Sequence, residues 1–305
     1  MASRSARGQI SALSMRALSG PLPARATWAV LPLLVGGSLG EALGEHSLAV
    51  ARTASVLAWG GWAGVLVAVL VPRTVSLTVL RVVAPAGLVA ANWAALTGPR
   101  DGLDALAVTG AALATVVALS PTTGDAFVNG SSYGDERRLP LRVPGPVLLG
   151  PLPLTWAAAV TGPVAGPLLL AARQWAAGAL VLVGGGVVSF LAVRALHGLA
   201  RRWVVLVPAG LVLHDQHALV EAVLFPRRSL RRLGPAPASP DPAALDATQG
   251  SFGLALELEL AEFLAVSPRR RDGVVEVVEV DRVLFTPTRP GAVLREAAVR
   301  GIPVA

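Results

Sequence analysis

The chain has 305 residues, 53% of them hydrophobic and 15% charged, with a mean hydropathy of +0.62. That is too apolar for an ordinary soluble domain, and the absence of Cys excludes disulfides, a thiol nucleophile and Cys-based metal sites. The formal charge of +7 suggests a nucleic-acid partner, but its distribution excludes one: residues 1–198 carry 13 Arg against 7 acidic residues, and residues 199–305 carry 13 against 12.

Every basic residue is Arg, and the surplus lies beside long apolar segments, where Arg orients membrane helices. Residues 1–25, with Arg4, Arg7, Arg16 and Arg25, form a basic tail without apolar periodicity and are expected to be disordered. A basic start before a short apolar run is also the pattern of a cleavable signal peptide. Here the run leads into further apolar segments, so retention is expected.

Residues 26–198 form a transmembrane domain with spans at about 26–43, 53–71, 74–97, 103–119, 147–171 and 175–193. The third contains Arg81 and Pro85; the fifth contains Pro151, Pro153, Pro163 and Pro167. Proline breaks a soluble helix, but neighbouring spans re-satisfy the freed carbonyls in a membrane bundle. With the N-terminus inside, the cytoplasmic side collects Arg73, Arg137, Arg138, Arg142, Arg194, Arg201 and Arg202 as well as the four tail arginines. The outer side collects Arg52, Arg100 and Arg173. This asymmetry predicts six spans in the plasma membrane with both termini cytoplasmic. Small residues recur every four positions at Gly36/Gly40/Gly44, Gly60/Gly64 and Ala158/Gly162/Gly166, a spacing that packs helices within a chain or into a homo-oligomer.

Between the fourth and fifth spans lies a polar loop, residues 120–146, with the only Tyr, Tyr133, and the charged run Asp135, Glu136, Arg137 and Arg138. Long connections of this kind are functional or simply flexible; the expectation is that these five residues dock the loop onto the C-terminal module.

From Arg202 the period changes from helical to strand-like. Trp203–Val207 and Leu211–His214 flank a turn at Pro208–Gly210; Leu219–Phe225 and Leu230–Leu233 flank a second at Pro226–Arg228. After a loop at 234–250, Leu254, Leu256, Leu258 and Leu260 alternate with Ala255, Glu257, Glu259 and Ala261. Phe263–Val266, Val274–Val280 and Val283–Phe285 follow as strands, the first two separated by a basic turn, Arg269–Asp272. The chain closes with a helix capped by Thr288, started by Pro290 and ended by Gly301, with Val293, Leu294 and Ala297 inward and a Glu296–Arg300 surface pair.

Residues 199–305 therefore form a β-rich domain of about seven antiparallel strands and one C-terminal helix. In element order, and in the stretch RRWVVLVPAGLVLHD, it resembles a bacterial pleckstrin-homology-like (PH-like) domain, and the whole chain resembles actinobacterial-type multi-span membrane proteins. The resemblance implies a bent sheet plugged by the last helix, facing lipid or protein.

Arg227, Arg228, Arg231 and Arg232 are the densest basic cluster of the module, suited to an anionic lipid headgroup or a partner, the alternative being a solvated strand edge or Arg lying against the bundle's own loops. His214-Asp215-Gln216-His217 is the one close histidine pair; it reads as a polar turn, not a metal site. No HExxH or GxxxxGK[ST] occurs. The reading is a non-enzymatic membrane protein, without cofactor, that presents a cytoplasmic module to the inner leaflet or a cytoplasmic protein. The alternative is a transporter-like bundle with a regulatory domain, using Arg81 and Asn92.

Overall fold

A computed structural model describes residues 20–98, 102–270 and 276–305. Arg4, Arg7, Arg16, Arg100 and most of the expected 1–25 tail lie outside the described residues, as do Arg271 and Asp272 of the Arg269–Asp272 turn. The chain divides into two compact units, one of residues 1–130 and 154–196, the other of residues 131–153 and 197–305.

The first unit is helical. Its long helices are α1 (Leu22–Gly44), α2 (Leu48–Leu70), α3 (Thr74–Thr97) and α4 (Gly102–Leu119), then the short α5 (Pro121–Asn129). The short α6 (Gly145–Leu149), which belongs to the second unit, precedes α7 (Pro151–Ala171) and α8 (Trp175–Ala200), most of whose residues lie in the first. Six of these helices are long and apolar enough to cross a membrane. Leu33, Val56, Leu96, Leu180 and Phe190 are exposed on them. Water would not tolerate so much apolar surface, and hydrocarbon does. The protein is an integral membrane protein.

The prolines show how the bundle accommodates broken helices. Pro32 inside α1 leaves the Trp28 carbonyl without its intrahelical donor. The Trp62 indole of α2 donates to that carbonyl at 3.0 Å, and the Trp28 indole donates to the Trp62 carbonyl at 2.9 Å. Near Pro85 of α3, the Trp156 indole donates to the Val82 carbonyl at 3.0 Å and the Thr115 hydroxyl to the Ala84 carbonyl at 3.1 Å. The small face Ala158/Gly162/Gly166 is used inside the chain. A Cβ at Gly162 would lie 2.4 Å from the Gly185 backbone, and Ser189 donates to the Ala158 carbonyl at 2.9 Å. Gly36, Gly40, Gly44, Gly60 and Gly64 have no such neighbour among the described residues.

Besides the short α6, the second unit holds two four-stranded sheets and a C-terminal helix among the described residues, so the chain is a helical bundle plus a β-rich domain. In the first sheet, β1 (Arg137–Pro140), β2 (Trp203–Val207), β3 (Gly210–His214) and β4 (Val223–Pro226) lie in that order, all antiparallel. In the second, β5 (Leu230–Pro235), β7 (Leu256–Val266), β8 (Val278–Phe285) and the two-residue β6 (Leu245–Asp246) follow one another, with only β6–β8 parallel. Their inner faces and the helix α9 (Pro290–Val299) enclose one core, which includes Leu139, Leu206, Phe225, Leu258, Phe285 and Val293.

Several local features differ from the sequence expectation. Residues 120–146 are not one loop: Ser120 caps α5 by accepting from the Thr123 amide, and residues 137–140 become a strand of the second unit. The expected hairpin around Pro226 does not form. Pro226 instead opens a 3-10 turn, Arg227–Ser229, and β4 pairs with β3 while β5 pairs with β7. This turn lacks the reversed twist that folds a strand back on itself, so the chain passes from one sheet to the other. A bulge at Arg231 then lets both Leu230 and Leu233 enter the core. The expected strands 254–261 and 263–266 merge into β7, and those at 274–280 and 283–285 into β8 among the described residues. Leu254 is half exposed, ahead of the strand. Thr288 does not cap α9: Arg289 holds that position without a side-chain cap, and the Thr288 hydroxyl donates to the Pro140 carbonyl. Val293 and Ala297 are buried, Leu294 packs beside them, and Glu296 pairs with Arg300 at 2.9 Å.

Candidate functional site

Strand β1 reaches the first sheet from the segment between two membrane helices. Arg137 stands opposite Leu206, Arg138 opposite Val205 and Leu139 opposite Val204. Alternation turns Leu139 into the core and Arg138 to the outer face. There the Arg138 guanidinium lies 5.6 Å over the Trp203 ring, and the His214 imidazole stacks on the same indole at 4.9 Å. Glu136 accepts from Arg138 at 2.6 Å and from the Tyr133 amide at 2.6 Å, which closes the turn before β1. The Tyr133 side chain is 90% exposed, and Asp135 is exposed as well.

Beneath this seam lies the one fully buried charge pair among the described residues. Arg202 follows the last apolar helix, and its charge identifies it on sequence grounds as a membrane-flanking arginine. Its guanidinium instead binds both carboxylate oxygens of Asp215 at 2.7 Å, and donates through Nη1 to the Arg142 carbonyl at 2.6 Å. The side chains are 1% and 0% exposed. The His217 amide adds a third bond to Asp215. A buried pair of this geometry contributes little net stability, but losing one partner costs roughly 3–5 kcal/mol because the other charge is stranded. One side chain thus ties together the 131–153 segment, the exit of α8 and the end of β3.

His214 and His217 flank this pair, whose carboxylate accepts from Arg202 through both of its oxygens. Both imidazoles are held below their ordinary pKa. Burial is the main cause for each. For His214, Arg201 and Arg138 add to the lowering and Asp215 opposes it; for His217, Arg202 and Arg269 add and Asp215 again opposes. His214 Nε2 is buried with no partner, which suits the neutral ring.

The basic cluster is spread over the crossing between sheets. Arg227 and Arg228 lie on the 3-10 turn and Arg231 on the bulge, all exposed and without an ion pair among the described residues. Arg232 differs: it pairs with Glu259 across β5 and β7 at 2.9 Å. Three of the four arginines remain available. The signal that separates them, a one-residue bulge, has no sequence signature beyond two adjacent arginines between leucines.

Arg227 also lines an open cleft of about 320 Å³, with Asp135, Val207, Pro208, Gly210, Glu296, Val299, Arg300 and Ile302. In the helical unit Arg81 and Asn92 have separate backbone partners. Arg81 donates to the Ala118 carbonyl in the last turn of α4 at 3.4 Å, where a cation is favoured. Asn92 is exposed and donates to the Leu88 carbonyl of its own helix. Glu41 and Glu45 are exposed at the end of α1.

Comparison with protein-family models, with curated proteins and with solved structures gives no match to this chain.

Proposed function

We propose that this integral membrane protein is a non-enzymatic anchor in the plasma membrane. It presents a cytoplasmic, PH-like module to the anionic inner leaflet, or to an acidic protein at that surface. The observation that carries the reading is the exposed, unpaired triad Arg227, Arg228 and Arg231. Each such Arg near an anionic leaflet contributes about 1 kcal/mol, and the attraction is screened by salt. Asn92 bonds within its own helix and Arg81 to a helix terminus, so among the described residues the two residues tied to the transporter reading do not share a site.

The chain has no Cys, so a single probe can report on the triad. A Ser229→Cys protein carrying an environment-sensitive fluorophore is reconstituted in nanodiscs of phosphatidylcholine, with and without phosphatidylglycerol. Anionic lipid is expected to shift the emission to the blue. Both 0.5 M salt and the triple Arg→Ala variant at 227, 228 and 231 should abolish the shift. Identical spectra in the two lipids would overturn the reading.

A further inference from the structure

The cleft beside α9 has a charge arrangement that membrane contact does not use. Its walls come from four places: the turn before β1 (Asp135), the β2–β3 turn (Val207, Pro208, Gly210), the 3-10 turn (Arg227) and the end of α9 (Glu296, Val299, Arg300). Glu296 and Arg300 neutralise one another at 2.9 Å. Asp135 and Arg227 have no ion-pair partner among the described residues. The floor is apolar, with Ile302 buried. Gly301, at φ +68°, turns the chain away from α9, and a Cβ there would lie 2.7 Å from the Arg227 guanidinium.

Two positive and two negative side chains make the lining neutral overall. With Glu296 and Arg300 neutralising one another, a simple anion drawn to Arg227 would also meet Asp135, and a simple cation drawn to Asp135 would meet Arg227. Only a ligand carrying both charges gains at both walls without a repulsive contact. The volume, about 320 Å³, is at the lower end of small-ligand pockets.

We propose that this cleft binds a small zwitterion, a phosphate or carboxylate joined by a short linker to an ammonium, with the anionic end on Arg227 and the ammonium on Asp135. A free amino-phosphate and the ethanolamine headgroup of a lipid share this chemistry. The site shares Arg227 with the membrane-facing triad but depends on Asp135, which that triad does not need.

The test is calorimetric titration of the full-length protein in detergent with O-phosphoethanolamine. Saturable binding is expected, weakened at least about tenfold by Arg227→Ala and by Asp135→Asn, and unchanged by Arg295→Ala, an exposed residue of α9 outside the cleft. Inorganic phosphate and ethanolamine alone should each bind at least about tenfold more weakly. Repeating the titration in nanodiscs identifies the source. Competition by phosphatidylethanolamine supports the lipid headgroup, and its absence together with retained binding supports a free zwitterion. Lack of saturable binding in both settings, or binding that survives Asp135→Asn unchanged, overturns the proposal. Neither result bears on the blue shift expected from anionic lipid at Ser229.

Discussion

Asp215 concentrates the second unit's charge chemistry at one point. It receives two bonds from Arg202 and one from the His217 amide, with an imidazole on either side. Because His214 and His217 have folded-state pKa values below about 6.5, the unfolded chain binds more protons wherever the two states differ. Stability is intact above about pH 6.5 and falls as the pH drops through that value toward the lower folded ones. Protonated His214 would face Arg201 and Arg138 and would place an unsatisfied Nε2–H inside the protein. The thermal midpoint of the full-length protein in detergent, followed by circular dichroism in the strand region, is expected to be lower at pH 5.5 than at pH 7.5. The double variant His214→Gln/His217→Gln should lose most of that difference. An undiminished difference in the variant would contradict the assignment.

At the scale of elements, β1 decides how the second unit is built. Leu139 and Leu141 enter its core from a segment remote in sequence, and the Leu141 amide and the Arg142 carbonyl both bond to Arg202. A fragment of residues 197–305 therefore lacks part of its own core and leaves the β2 edge unpaired. A synthetic peptide of residues 131–146 is expected to raise the fragment's thermal midpoint, and a Leu139→Asp peptide to have no effect. Equal melting with and without the native peptide would contradict this. In the full chain, Leu139→Ala should cost about 2–5 kcal/mol, as for other buried leucines.

This element also marks where the sequence stops being legible. The β2–β3 hairpin and α9 stand out because their alternation and helical stripe are driven by burial, and the six spans because length and apolarity alone specify them. Arg137–Pro140 is too short to show a period, and its pairing is set by a partner more than sixty residues away. Arg202 looks like any arginine that ends a span until Asp215 is placed against it. Pro226 looks like a hairpin turn, because the exchange between sheets is a tertiary outcome. Of the candidate residues, the triad's exposure and Asp135's place in the cleft both depend on such tertiary features.

The whole molecule is a bundle with an apolar exterior and a module in which the buried Arg202–Asp215 pair contrasts with the exposed Arg227, Arg228 and Arg231. The bundle satisfies the Trp28 carbonyl freed by Pro32 with the Trp62 indole, as a protein surrounded by hydrocarbon must. The arginine asymmetry is the ground for the proposed cytoplasmic placement of the module, and the proposed headgroup contact and zwitterion site would lie on that side. The absence of Cys gives the direct measurement. Single cysteines are placed at Ser47, Ser131 and Ser239, and intact cells are treated with a membrane-impermeant maleimide. The account predicts labelling at position 47 alone, with 131 and 239 reacting only after the cells are opened. Labelling at position 239 in intact cells would put the module outside and contradict the account.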